Sequence, residues 1–354
     1  MKAAVFYGAR DVRVEEVAEP TDVSAHEVRV RPIWCGICGT DLHEYAQGPI
    51  VIPSHPHPLT HAEAPQILGH EFSAEVLEVG AAVTKLRVGQ KVSVMPLIFC
   101  GTCYQCRRGR GHLCATMACV GLSYRWGGIA EQCVVSAAQV TPLAEGMTDL
   151  QGALVEPTAV AAYGVDRAGV RPGDEVLITG AGPIGVLAVL YAASLGANVT
   201  ISEVNPRRLE LARSLDVGAV LDPTSTDVVA ELRDRTEGVG VDAVIECSGN
   251  ERALQTALSA VRAAGHVSQT GLHTKAAAID PMVLSERDIT LAGTWCFPVT
   301  DWPRIIDLIG RGRLPVEKAV SAQISIDDVV QQGFDALLDP AGDQVKVLVQ
   351  ATPS

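Results

Sequence analysis

The segment "VLITGAGPIGVLAVLYAASLGANVTI", from Val176 to Ile201, constrains the fold more than any other part of this 354-residue chain. Its length would suit a membrane span. The Gly-x-Gly-x-x-Gly inside it, from Gly180 to Gly185, points instead to a buried strand, a tight turn and a helix. Gly180 permits the turn, Gly182 lets a pyrophosphate approach the backbone, and Gly185 lets the helix pack on the sheet. The helix start, Pro183 and Ile184, offers free N–H groups and a partial positive charge to an anion. At the end of the next predicted strand, "ISEVNPRR" places Glu203 18 residues after Gly185. A carboxylate there accepts the ribose hydroxyls of NAD and repels the extra phosphate of NADP. Arg207 and Arg208 keep NADP open, because an arginine receives that phosphate. NAD is favoured, with Arg208 counted among the residues lining the site.

The rest of the chain divides by texture around this unit. From residue 1 to 150, short β-rich runs such as "HEVRVRPIWCG" and "FSAEVLEVGAAV" alternate with turn residues, which predicts a mainly antiparallel sheet or partly open barrel. From 151 to 291, strands alternate with helical runs such as "PRRLELARSL" and "ERALQTALSAVRAAG", which predicts a parallel, doubly wound α/β sheet. The tail, 292–354, holds a helix near Asp301–Gly310 and a last strand, "QVKVLVQ", and is expected to return to the first region. Net charge is −13, so no basic field attracts nucleic acid or an anionic bilayer. The N-terminal "MKAAVFYGARDVRVEEV" turns charged too soon for an export signal. A cytoplasmic, reducing setting follows, in which clustered cysteines bind metal more often than they form disulfides.

Of ten cysteines, four stand together: "CGTCYQCRRGRGHLC" spaces Cys100, Cys103, Cys106 and Cys114 as C-x2-C-x2-C-x7-C. Four thiolates make a closed tetrahedral zinc site, which is structural because no position remains for substrate. An iron–sulfur cluster is the chemical rival, without other signs of electron transfer in the chain. Chemistry therefore belongs to a dispersed set: "CGICGTDLH" from Cys35 to His43, "GHE" from Gly69 to Glu71, and "LVEP" around Glu156. Cys35, His70 and a carboxylate would give zinc three mixed ligands and an open position.

These motifs together resemble the zinc-dependent medium-chain alcohol dehydrogenases across almost the whole chain. Within them, "CGICGTDLHEY", "APQILGHEFSAEVLEVG" and "QGALVEPTAVAAYGV" look most similar to the 2,3-butanediol dehydrogenase and diacetyl (acetoin) reductase branch, with sorbitol dehydrogenases next. The resemblance implies a Rossmann unit beside a GroES-like catalytic unit with a zinc lobe. It also implies NAD, one catalytic and one structural zinc, and assembly as a homodimer or homotetramer. Cys35 and His70 match the catalytic zinc ligands, Thr40 the residue that hydrogen-bonds the substrate oxygen, and His43 the end of the proton relay. Asp41 is expected behind a ligand, holding it in place. Glu71 and Glu156 compete for the third ligand, because neighbours on a regular strand face opposite ways unless the backbone bends. The expected reaction is hydride transfer between a vicinal diol and its hydroxyketone.

Polyol oxidation would use the same residues. A quinone reductase of the same superfamily would lack both cysteine sets, and a non-catalytic zinc module would have no use for Thr40 and His43. The histidines of "IPSHPHPLTHAEAP" (His55, His57, His61) read as a surface or substrate-entry loop. Cys119, Cys133, Cys247 and Cys296 read as core, and Cys38 receives no role.

Overall fold

The apolar segment folds as strand Glu175–Thr179, helix Pro183–Ser194 and strand Asn198–Ser202 in the computed structural model, which describes residues 1–339, 342 and 344–352. Gly182 caps the helix and Pro183 enters its first turn, where a missing N–H is no loss. Residues from Gly185 to Ala192 are all buried, so this helix is apolar on every side because it is covered on every side. Among the described residues no helix is long and apolar enough to cross a membrane.

These elements belong to a compact unit of residues 157–297 and 313–319. Its six-stranded sheet runs Ala219–Leu221, Asn198–Ser202, Glu175–Thr179, Val241–Glu246, Val261–Gln269, Thr290–Gly293, with every pairing parallel. Strand order reverses on either side of Glu175–Thr179, which is the switch point where a doubly wound sheet receives its ligand. One boundary departs from the sequence pattern. The helix beginning at Glu251 ends at Ala260 rather than running on through "VRAAG". Val261 instead opens a strand opposite Val241, and Ala264 takes a left-handed φ of 53° that no helix interior accommodates.

The other unit comprises residues 1–156, 298–312 and the chain from Val320 onward. Its main sheet runs Val140–Pro142, Lys91–Val94, Glu71–Val79, Glu27–Gly36, Lys346–Gln350, Val320–Ser325, with Cys133–Ser136 also on Glu27–Gly36. All its pairings are antiparallel except that of the last two strands. Alternation is visible in Glu27–Gly36: Val28 and Val30 are fully buried, while Arg29 and Arg31 reach out to Glu78 and Glu75 at 2.5 and 2.7 Å. The C-terminal strand lies directly against this one, with Val349 opposite Cys35. A two-stranded ribbon, Leu97–Ile98 with Ala118–Cys119, forms the base from which the cysteine-rich segment projects.

Candidate metal centres and dinucleotide site

In the cysteine-rich lobe, Gly101 and Gly109 adopt φ of 72° and 73°, which folds the chain back on itself. The donor atoms of Cys100, Cys103, Cys106 and Cys114 then lie within 4.8 Å of one another. Cys100 Sγ and Cys106 Sγ stand 4.0 Å apart, against roughly 3.8 Å for two sulfurs sharing a tetrahedral zinc. No disulfide joins any of the ten cysteines. Backbone N–H groups point at the sulfurs, from Cys103 to Cys100 at 3.3 Å and from Cys106 to Cys103 at 3.5 Å. The Thr102 hydroxyl and the Thr102 and Cys103 N–H groups hold the Cys100 thiol down at about 5, while burial pushes Cys106 up to about 12. Crowded sulfurs ionise together only beside a cation, and an all-sulfur cage fits zinc.

The second centre begins where strand Glu27–Gly36 ends. Cys38 caps helix Gly39–Gln47, and its N–H donates to Asp41 Oδ2 at 2.9 Å. The other Asp41 oxygen lies 3.4 Å from His70 Nδ1. One fully buried carboxylate thus fixes both the helix start and the imidazole, leaving Nε2 of His70 as the nitrogen available to an ion. Burial opposes a charged His70, but Asp41 and Cys38 outweigh it and hold the imidazole well above its usual range.

His70 follows Gly69, whose φ of 100° bends the chain, and a Cβ on Gly69 would stand 2.6 Å from Cys35 Sγ. Strand Glu71–Val79 starts only after this bend. Strand alternation therefore does not separate His70 from Glu71, and the donor atoms of Cys38, His70 and Glu71 lie within 4.8 Å of one another. The Glu71 carboxylate also pairs with Lys346, both side chains 1% exposed, and Lys346 Nζ donates to the Ile37 carbonyl at 3.1 Å. The pair crosses over Gly36, where any Cβ would meet Glu71 Oε2 at 2.1 Å. Glu156 is buried beside this group without joining it; burial and the charge of Glu71 push its carboxyl up to about 8, against the pull of His70 and Lys346. A thiol, an imidazole and a buried carboxylate, with donor atoms within 4.8 Å of one another, make a donor set that fits zinc.

The geometry corrects one assignment. Sequence reading gives the zinc thiolate to Cys35, yet Cys35 lies within the strand opposite Phe72, fully buried in the hydrophobic core. Burial, Asp41 and Glu71 together push its thiol far up. Cys38, three residues on and outside the strand, is half-buried and faces the histidine. Its Sγ donates to Thr40 Oγ1 at 3.8 Å. His43 follows Thr40 by three residues on the same helix, so the two share a face.

The dinucleotide turn is built as its glycines require. A Cβ on Gly185 would meet the Gly180 carbonyl at 1.8 Å, while at Gly182 the nearest atom is Arg208 Nη1, 4.0 Å away. Gly182 thus leaves open space, bordered by a guanidinium, at the N-terminus of helix Pro183–Ser194. Glu203 follows strand Asn198–Ser202 and is buried against the turn. Its Oε2 accepts the Ala181 N–H at 2.7 Å, and its Oε1 accepts those of Val204 and Asn205 at 2.8 Å. Asn205 caps the following helix, which brings Arg208 to Gly182.

Residues 24–145 match the family of alcohol dehydrogenase GroES-like domains and residues 183–311 that of zinc-binding dehydrogenases. Over 354 residues the chain is 36% identical to an (R,R)-butanediol dehydrogenase of Neisseria gonorrhoeae, with 99% of each chain covered. It belongs to the zinc-dependent alcohol dehydrogenase family. An (R,R)-butanediol dehydrogenase of Bacillus subtilis is 38% identical over 354 residues, again with 99% of each chain covered. The crystal structure of 2R,3R-butanediol dehydrogenase from Bacillus subtilis matches with a TM-score of 0.92 at 36% identity, covering 100% of this chain and 99% of that one. This zinc-dependent dehydrogenase is accordingly an oxidoreductase, and its fold is the α/β Rossmann unit with a GroES-like unit.

Sequence reading missed three residues of the GroES-like unit. Cys38 carried a signal, because it precedes the helix by one residue and its capping partner Asp41 stands three further on. Lys346 carried none, being 275 residues from Glu71. Nor did Glu44, whose fully buried carboxylate accepts the N–H groups of Ile50 at 2.9 Å and Ile52 at 3.2 Å and so anchors "GPIVIP". The His55, His57 and His61 loop forms no metal group among the described residues, and His57 Nδ1 accepts the Leu59 N–H at 3.2 Å.

Proposed function

We propose that this dehydrogenase interconverts (R,R)-2,3-butanediol and acetoin, and reduces diacetyl to acetoin, with NAD as hydride carrier. The reading rests on the Cys38–His70–Glu71 donor group, with Thr40 against Cys38 and His43 on the same helix as Thr40, in a chain similar over its full length to (R,R)-butanediol dehydrogenases. Bound by Cys38, His70 and a carboxylate from Glu71 or Glu156, zinc supplies the Lewis acid that acidifies a hydroxyl group. Thr40 receives the hydroxyl proton and passes it towards His43, which delivers it to solvent. Asp41 keeps the His70 ring oriented, and Lys346 holds Glu71 in reach. NAD held at the Gly180–Gly185 turn would supply the acceptor for the hydride of the carbinol carbon, and the same residues would serve the reverse reaction on a ketone.

Cys100, Cys103, Cys106 and Cys114 hold the structural zinc. Gly180, Gly182, Pro183, Ile184 and Gly185 seat the pyrophosphate, with Arg208 alongside. Glu203 Oε2, which accepts only the Ala181 N–H, keeps a lone pair for a ribose hydroxyl, which favours NAD over NADP. A reducing cytoplasm suits clustered cysteines that hold metal and form no disulfide. A homo-oligomer, dimer or tetramer, suits the unit of residues 157–297, where strand Thr290–Gly293 ends the sheet and Trp295 is 47% exposed.

Initial rates of NADH formation with the butane-2,3-diol stereoisomers and with sorbitol test the assignment. The R,R diol should be preferred by at least tenfold. Preference for sorbitol would move the enzyme to the polyol branch, and no oxidation of any alcohol by zinc-loaded protein would overturn the reading.

A further inference from the structure

Glu246 ends strand Val241–Glu246 in the middle of the parallel sheet and is fully buried. Its carboxylate gathers donors from three strand ends. Oε1 accepts the Thr179 hydroxyl at 3.2 Å, the Ser248 N–H at 2.8 Å, the Ser248 hydroxyl, and the Gly249 N–H at 3.1 Å. Oε2 accepts Gln269 Nε2 at 2.7 Å and lies 3.4 Å from His273 Nε2. The backbone carbonyl of the same residue accepts the N–H groups of Thr270 at 2.9 Å and Gly271 at 2.7 Å. A buried carboxylate is expensive to desolvate, and an apolar side chain of similar volume often serves stability as well or better. Strand pairing alone therefore gives no reason for a carboxylate here. Most of its partners lie in the segments that leave two neighbouring strands, which identifies what it organises.

Those segments interlock tightly. A Cβ on Gly249, at φ 64°, would meet the Leu272 carbonyl at 2.3 Å, and one on Gly271 would meet the Gly249 nitrogen at 2.3 Å. They also reach the dinucleotide turn. The Cβ position of Gly180 is 3.1 Å from Ser248 Cβ, that of Gly185 is 3.7 Å from Cys247 Cβ, and the Cys247 N–H donates to the Thr179 carbonyl at 3.0 Å. Ligands of a doubly wound sheet bind outside the carboxyl ends of its strands, at the switch point that this turn occupies.

We propose that Glu246 is the positioning residue of the dinucleotide site: it fixes the segments after Glu246 and after Gln269 against the Gly180–Gly185 turn, so that the site is preformed before the cofactor arrives. The inference rests on the NAD reading above. Glutamine would keep the volume but present an amide N–H₂ to at least one N–H donor, so the segments would have to part. Ser248→Ala removes one donor at the surface of the network and leaves the carboxylate in place.

The test is an NADH fluorescence titration of full-length, zinc-loaded protein, unaltered and as Glu246→Gln and Ser248→Ala, alongside thermal midpoints without cofactor and kcat and KM for the alcohol. Both variants should weaken NADH binding, Glu246→Gln by about tenfold or more and Ser248→Ala by severalfold. At saturating NAD the KM for the alcohol should stay within about twofold. A folded Glu246→Gln whose NADH affinity is within twofold of the unaltered protein would overturn the proposal. If Glu246→Gln fails to fold, unchanged affinity in Ser248→Ala would do the same. Failure of the unaltered protein to bind NADH would overturn the functional reading itself, and this inference with it.

Discussion

Cys35 and Cys38 are three residues apart, and their environments assign them opposite duties. Cys35 fills a core position, whereas Cys38 stands at a helix N-terminus facing His70. Replacing Cys38 with serine should remove one of two zinc ions per chain and lower kcat/KM by about a thousandfold or more, since a Lewis acid contributes several kcal/mol to such a step. Cys35→Ser should keep both zinc ions and most activity but unfold more easily by about 1–3 kcal/mol, the cost of a hydroxyl in an apolar site. Zinc analysis and denaturant melts of both variants decide the matter; a zinc-replete, active Cys38→Ser would return the role to Cys35. Lys346 is the second residue with a sharp expectation. Its ammonium, buried against Glu71, leaves an uncompensated carboxylate when removed. Lys346→Met should therefore destabilise the protein by about 3–5 kcal/mol in denaturant titration, a loss on the scale of broken buried ion pairs. A loss under 1 kcal/mol would show that Glu71 does not depend on the lysine.

At the scale of elements, the main sheet of the GroES-like unit carries a row of charge across three strands. Register places Arg31 opposite Glu75 and Glu75 opposite Lys91, and the carboxylate meets both cations at 2.7 and 3.1 Å. The hydrogen bond from Arg31, then that from Lys91, holds the Glu75 carboxyl below its ordinary value of 4.5. A carboxyl depressed in the folded state adds stability that is full above that value and is lost as pH falls through the folded one. Glu75→Gln should cost about 1 kcal/mol at neutral pH and nothing once both forms are protonated, well below pH 4. Denaturant midpoints from pH 7 to pH 3 should converge; parallel curves would remove Glu75 from the acid response. What the sequence discloses is what acts locally. The glycine turn was legible because Gly180, Gly182 and Gly185 act locally, each through its own backbone or nearest contact. The four-cysteine lobe was legible for the same reason. Whether Cys35 or Cys38 faces the metal depends on where a strand ends, and whether His70 and Glu71 share a face depends on one bend at Gly69. Helical pattern past Ala260 misled because alanines favour a helix, while pairing of Val261 with Val241 is a tertiary contact that local propensity does not contain.

The whole molecule keeps its two kinds of chemistry in separate units. Cys38, His70, Glu71, Glu156 and the four lobe cysteines belong to the unit of residues 1–156, 298–312 and 320 onward; the Gly180–Gly185 turn, Glu203 and Arg208 belong to that of residues 157–297 and 313–319. Net charge is −13, so a dinucleotide with two phosphates is held against the overall field. Local groups must do the holding: the N-terminus of helix Pro183–Ser194 and the Arg208 guanidinium near Gly182. None of these is a metal ligand. Removing zinc with a chelator should therefore abolish alcohol oxidation while changing the NADH dissociation constant by less than about threefold. Bound NADH should still raise the melting temperature of the stripped protein, because a ligand that binds only the folded state stabilises it by RT ln(1 + [L]/Kd). Fluorescence titration and melting curves, before and after chelation and after zinc is restored, make the comparison. Loss of NADH affinity in step with zinc would mean that the metal centres shape the dinucleotide unit, and that the division of labour read from these residues is wrong.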